Sequence, residues 1–128
     1  MNALRFATTA DGWPSRDSLD RVWSAVVLGQ LSRERAHAVA VPWVEGPLDG
    51  GWSEDPSVTT ALIYLHGLDM AFDGDPNLIH HGAPGTYYLD EASVAEALEI
   101  WRTRCARFDR GGMTWAQCMY TPWKRLDD

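Results

Sequence analysis

The sequence predicts a mainly α fold, a single compact domain of four to five helices, with room for a short two-stranded β element from residues 39–44 and 85–89. Apolar residues recur at helical spacing in several windows, most clearly between Pro56 and Phe72. Residues that favour helix starts, such as Asp55, precede these windows. Hydrophobic residues make up 45% of the 128-residue chain and include seven tryptophans, which is enough for one packed core.

The central helix is predicted over residues 56–68. Asp55 can cap it, and Pro56 suits the first helical position because its missing N–H needs no partner there. Apolar side chains cover nearly all of its faces, so we expect other elements to surround it. If the helix continued to Met70, Asp69 would point into the apolar face. Either the helix ends near Gly67, or Asp69 is buried with a partner.

Two helices are predicted before the central one. The first runs from Ser15 or Asp17 to about Leu28, with acidic residues in its first turn. The second starts after Ser32 and is stopped by Pro42, although its segment AHAVAV would also suit a strand.

A long helix is predicted from Glu91 to about Phe108, capped by Asp90, and a short one in the segment MTWAQCMY. Residues 1–14 are predicted to be a loosely ordered lead-in, residues 43–54 and 73–85 to be loops, and the segment TYYL to be extended.

Charge is distributed unevenly along the chain. The net charge is −7, and neither Lys nor Arg occurs between His37 and Trp101. An acidic surface repels nucleic acid and anionic membranes, and attracts a basic protein. No apolar run is long enough to span a membrane, and the N-terminus lacks the apolar segment of a signal peptide, so we expect a cytoplasmic protein.

Most catalytic motifs are excluded by spacing. The chain has no HExxH, GxSxG, GxGxxG or P-loop pattern. The segment that begins at Asp73 resembles a calcium loop, but Leu78 and Pro84 stand where the loop requires Gly and Glu. Two cysteines, Cys105 and Cys118, are too few for a disulfide framework, and they are expected to be packed thiols rather than nucleophiles.

The sequence leaves one metal or acid–base hypothesis open. Imidazole and carboxylate groups can ligate zinc or iron, and His66 and Asp69 are spaced to share a helix face. The alternative to a non-catalytic protein is therefore a small metal-dependent or acid–base enzyme that uses His66, Asp69, His80 and His81. In the main interpretation these residues form a helix end and a polar loop, and the protein has no catalytic residue, metal or cofactor.

The main interpretation is a binding surface for a basic protein. Aromatic anchors surrounded by acids suit such an interface, because rings fill pockets and charges accelerate association. The predicted partner-binding residues are Trp43, Glu45, Asp49, Trp52, Glu54, Asp55, Asp73 and Asp75.

A family resemblance agrees with this interpretation. The segments LGQLSRERAHAVAVPWV, LHGLD and YYLD occur in this order from residue 28 onward, and the likeness covers roughly residues 29–101. The chain thereby resembles small actinobacterial immunity-like proteins of toxin–immunity pairs. The residues that carry the likeness are Gly29, Ser32, Arg33, Glu34, Pro42, Trp43, Val44, Leu65, Gly67, Leu68, Asp69, Tyr88 and Leu89. The resemblance implies a cytoplasmic, non-enzymatic protein that binds and blocks a cognate toxin. A phage or secondary-metabolism accessory protein is a further alternative.

Overall fold

The computed structural model describes residue 8 and residues 12–46, 53–82 and 85–123. Within these residues the helices are α1 (Arg16–Val27), α2 (Arg33–Val44), α3 (Pro56–His66), α4 (Glu91–Asp109) and α5 (Trp115–Tyr120). The strands are β1 (Met70–Phe72), β2 (Ile79–His81) and β3 (Thr86–Tyr87). The mainly α class is confirmed. The predicted lead-in, residues 1–14, lies mostly outside the described residues.

Side chains cap every one of these helices at its N-terminus. Ser15, Ser32 and Asp55 accept hydrogen bonds from backbone N–H groups in the first turns of α1, α2 and α3. Asp90 does the same for α4, and Thr114 forms a reciprocal capping box with Gln117 at α5. Local sequence therefore determines where the helices begin, as predicted.

The core lies between α3 and the helices around it. Leu62 and Leu65 of α3, Trp23 of α1 and Ala40 of α2 are fully buried in one apolar cluster, which Trp101 of α4 completes. The prediction that α3 is surrounded is confirmed: α1, α2, α4 and α5 all contact it, α2 most extensively. None of the described helices is both long and apolar enough to cross a lipid bilayer.

The expected β pairing of residues 39–44 is wrong, because these residues belong to α2. The helix continues through Pro42, which was predicted to stop it. Proline cannot donate to the carbonyl four residues earlier, but that residue, Ala38, is exposed and its carbonyl can be hydrated. The chain turns away only at Gly46, where a Cβ atom would lie 2.1 Å from the carbonyl oxygen of Pro42.

The β element has three strands where two were expected. Its order is β2-β1-β3, and both pairings are antiparallel. Met70 and Phe72 were assigned to the central apolar stretch, but α3 ends at His66 and they form β1 instead. Residues 79–81 were assigned to a loop, but they form β2, in which His81 lies opposite Met70.

A candidate metal centre of three histidines

Three histidine side chains converge where α2, α3 and the sheet meet. His37 lies on α2, His66 is the last residue of α3, and His81 is the last residue of β2. The ring centroids are 4.4 Å apart for His37 and His66, 4.4 Å for His37 and His81, and 5.1 Å for His66 and His81. One nitrogen from each ring lies within 4.8 Å of the other two. Small side-chain rotations would bring all three to the zinc–nitrogen distance of about 2.0–2.1 Å.

Local chain geometry brings these three elements together. After α3 ends at His66, with Gly67 as its C-cap, a tight turn leads directly into β1. The β1–β2 pairing then returns the chain, and the N–H of Gly82 donates to the carbonyl oxygen of Asp69 at 2.8 Å. This bond holds His81 beside the end of α3. The packing of α2 against α3 places His37 on the same site.

Each ring already has an oxygen partner at one of its nitrogens. Nδ1–H of His37 donates to the backbone oxygen of His66 at 2.6 Å. Nδ1 of His81 lies 2.6 Å from Oδ1 of Asp69, and Nε2 of His66 contacts Oε2 of Glu45. Metal-binding histidines characteristically use one nitrogen in this way, which orients the ring and leaves a lone pair on the other nitrogen.

The carboxylates supply the charge that a metal ion would need. The side chain of Asp69 is almost fully buried, and its contacts are His81 and, at 3.4 Å, Nδ1 of His37. Among the residues that the structure describes, no Lys or Arg lies within 4 Å of either Asp69 or Glu45. The hydrogen bond from His66 lowers the pKa of Glu45. Two carboxylates beside three neutral imidazoles would balance a divalent cation, and a buried carboxylate needs such a counter-charge.

The sequence hypothesis found part of this centre. His66, Asp69 and His81 are brought together, but His80 is not: it is an exposed residue of β2, paired with Ala71. His37 was missed because it lies 29 residues before His66, on another helix. One signal pointed to it, since all four histidines of the chain lie within residues 37–81, the segment that is otherwise rich in acids.

The predicted partner-binding residues do not form one surface: the described ones make different contacts in different parts of the structure. Glu45 belongs to the histidine cluster, and Nε1 of the half-buried Trp43 donates to the carbonyl oxygen of Gly12 at 3.3 Å. Asp55 caps α3 and forms an ion pair with Arg16 at 2.8 Å.

The remaining members of that set are either exposed or not described. Glu54, Asp73 and Asp75 are exposed. Asp49 and Trp52 lie outside the described residues. Among the described members of this set, the exposed carboxylates that neither contact a histidine nor cap a helix are those of Glu54, Asp73 and Asp75.

Neither cysteine is placed for nucleophilic chemistry. Cys105 of α4 and Cys118 of α5 are buried, and burial raises the pKa of both thiols. A raised pKa keeps a thiol protonated and unreactive at neutral pH.

A scan against protein-family models, a search of curated proteins and a search of solved structures each return no match to this chain. Its function must therefore be inferred from the residues themselves.

Proposed function

We propose that the protein is a metal-dependent enzyme whose centre is a divalent transition metal, zinc above all, held by His37, His66 and His81. The observation that carries the proposal is the convergence of three imidazole nitrogens within 4.8 Å of one another. Imidazole suits zinc, copper, nickel and iron. Calcium and magnesium prefer oxygen ligands, so a site of three nitrogens disfavours both.

Carboxylate contacts to the histidine rings strengthen this assignment. Asp69 and Glu45 each contact one of the rings, as carboxylates do in carboxylate–histidine–zinc arrangements. Both carboxylates fall outside the set of mutually close ligand atoms. They would orient the rings and balance the charge of the metal, while the three imidazoles would bind it.

Three ligands converge among the residues that the structure describes, and this number favours chemistry over a purely structural role. Structural zinc sites are closed by four protein ligands, whereas catalytic sites have three and leave one position for water or substrate. The side chain of His81 is 44% exposed, so such a position would be reachable from solvent. A metal at this position would lower the pKa of bound water and so favour hydrolytic chemistry.

The direct test is a zinc titration of the tag-free full chain, followed by assays of ester hydrolysis with and without zinc. We expect one zinc ion per chain, with a dissociation constant below about 1 µM by calorimetry, and hydrolysis that requires the bound metal. Absence of stoichiometric binding for zinc, copper, nickel, cobalt and iron would refute the metal centre. Tight binding without hydrolysis would refute only the enzymatic part.

A second candidate function, the acidic inhibitor of a basic protein, is favoured by the β1–β2 turn. Asp73 and Asp75 are exposed there, next to Leu78 and Ile79, whose side chains are 68% and 38% exposed. Acidic residues beside exposed apolar side chains are the composition of a docking surface for a basic partner. The immunity role implied by the resemblance belongs to this candidate.

Charge reversal tests the second candidate. We expect the wild-type chain to retain one basic protein from its native lysate at low salt and to release it at high salt. Replacing Glu54 and Asp73 by Lys should slow association with that protein by about tenfold or more, because steering by charge raises association rates by roughly 10- to 1,000-fold. The control is the same pair changed to Gln and Asn. Equal association rates for wild type and reversed variant would exclude this surface.

A further inference from the structure

A groove separate from the metal centre lies between the end of α1, the start of α2, β3 and the start of α4. It encloses about 660 Å³, within the range of roughly 300–1,000 Å³ that small-molecule sites occupy. One wall is formed by half-buried or buried apolar side chains, and the exposed Val27 and Leu28 extend it to the rim. The apolar wall residues are Val26, Leu31, Leu89 and Val94.

Arg33 is the buried charge of this groove. It lines the groove although the residue is only 8% exposed. Its Nη1 donates to the carbonyl oxygens of Leu89 at 2.6 Å and Leu68 at 3.4 Å, and its Cζ lies 4.4 Å from the ring centroid of Tyr87. All three of these partners are electrically neutral.

Several N–H donors of the Arg33 guanidinium are therefore not used in hydrogen bonds. Within the described parts of the chain, no carboxylate lies within 4 Å of it, and its Nε and Nη2 make no hydrogen bond. A guanidinium has five N–H donors, and a buried positive charge is costly without a counter-charge. Arg33 thus offers free donors and a positive charge to whatever enters the groove.

Two helix N-termini reinforce this positive potential. The first residues of α2 and α4 both line the groove, and the N-terminal end of a helix attracts anions. On the α4 side, the carboxylates of Asp90 and Glu91 oppose that attraction. Asp90 already caps the helix, and its pKa is lowered by the hydrogen bonds from Ser93 and also by the charge of Arg33, so Asp90 balances part of that charge. An anionic group is therefore expected on the α2 side, against Arg33, with its apolar part along the apolar wall residues.

We infer that this groove binds a small organic carboxylate with an apolar body. The carboxylate would accept hydrogen bonds from Arg33, and the apolar body would cover Val26, Leu31 and Val94. The inference does not depend on the metal centre, which contributes none of its three histidines to the groove.

The test compares three probes of equal length that differ in their head group. Octanoate, octanol and octylamine are titrated into the full chain and followed by calorimetry and by backbone amide NMR shifts. We expect octanoate to bind at least about tenfold more tightly than octanol, which corresponds to about 1.4 kcal/mol, and octylamine to bind most weakly. The largest NMR shifts should occur at Gly29, Ser32 and Thr86. Equal affinity for octanoate and octanol, or no binding of octanoate, would overturn the inference.

Matched variants locate the site. Arg33→Gln should weaken octanoate binding at least about tenfold, whereas Arg35→Gln, an exposed arginine on the same helix, should leave it unchanged. Because Arg33 also bonds to two backbone carbonyls, its loss can destabilise the fold. Val27→Trp adds bulk at the exposed rim of the groove while leaving the Arg33 residue in the sequence, and should also reduce binding at least about tenfold. Unchanged octanoate affinity in Val27→Trp would place binding elsewhere and contradict the inference.

Discussion

His37→Ala, His66→Ala and His81→Ala should each lower the affinity for zinc by more than about 100-fold, since loss of even an outer-shell partner costs roughly 10- to 100-fold. Each change removes one of three nitrogen ligands, and the two remaining histidines bind the metal more weakly than three do. His80→Ala is the matched control, because His80 neighbours His81 in β2 but is not part of the cluster. It should bind zinc as the wild type does.

Two measurements distinguish the loss of a metal ligand from unfolding of the variant. Circular dichroism without metal should be similar for His80→Ala and His81→Ala, since both residues lie on an exposed strand. Thermal unfolding without metal should be at a lower temperature for His81→Ala, because this change removes a partner of the buried Asp69 carboxylate. Zinc at about 100 times its dissociation constant should then stabilise wild type and His80→Ala by about 2.7 kcal/mol and leave His81→Ala unaffected.

Asp69→Asn tests the carboxylate that contacts His81 in the same centre. It should weaken zinc binding by roughly 10- to 100-fold, because the amide keeps the shape of the side chain but loses its charge. Equal zinc affinity in all four single histidine variants would show that the metal binds elsewhere.

The largest effect on stability is expected at Trp23. Trp23→Ala should lower the free energy of unfolding by about 3–5 kcal/mol. The indole is fully buried and stacks on Tyr64 with ring centroids 4.5 Å apart. It also contacts the rings of Trp101 and Trp123, and its Nε1 donates to the carbonyl oxygen of Val94 at 3.1 Å. Removal would leave a large cavity and lose the hydrogen bond from the indole to the helix α4.

Urea unfolding of the metal-free chain measures this loss. Trp115→Ala is the matched control, since Trp115 lies on the short helix α5 with 41% of its surface exposed, and its removal should cost about 0.5 kcal/mol or less. If Trp23→Ala cost no more than Trp115→Ala, the aromatic cluster would not be the centre of the core.

Much of the helical structure could be predicted because its causes are local. The bounds of α1 and α4 follow from Ser15 and Asp90, whose side chains accept bonds from N–H groups three residues later. The prediction failed where the secondary-structure preference of a segment was ambiguous, or where packing against other elements overrode it. Residues 39–44 suit a strand or a helix, and α2 passes through Pro42 because the helix packs along α3.

The candidate centre could be predicted only where its members are close in sequence. His66 and Asp69 are three residues apart, and His81 lies in the next loop of the predicted chain, so all three appeared in one hypothesis. His80 was included because sequence proximity does not separate neighbours on a strand, whose side chains point to opposite faces.

The sequence by itself determined the helix starts, the apolar faces that form the core, and the acidic segment that contains all four histidines. These properties depend on hydrogen bonds, periodicity and charge over a few residues. Only the tertiary structure decided that His37 joins His66 and His81, and that Arg33 is buried beside an open groove. Such contacts depend on how α2 packs against α3 and the sheet. Interactions between residues that are close in sequence do not determine that packing.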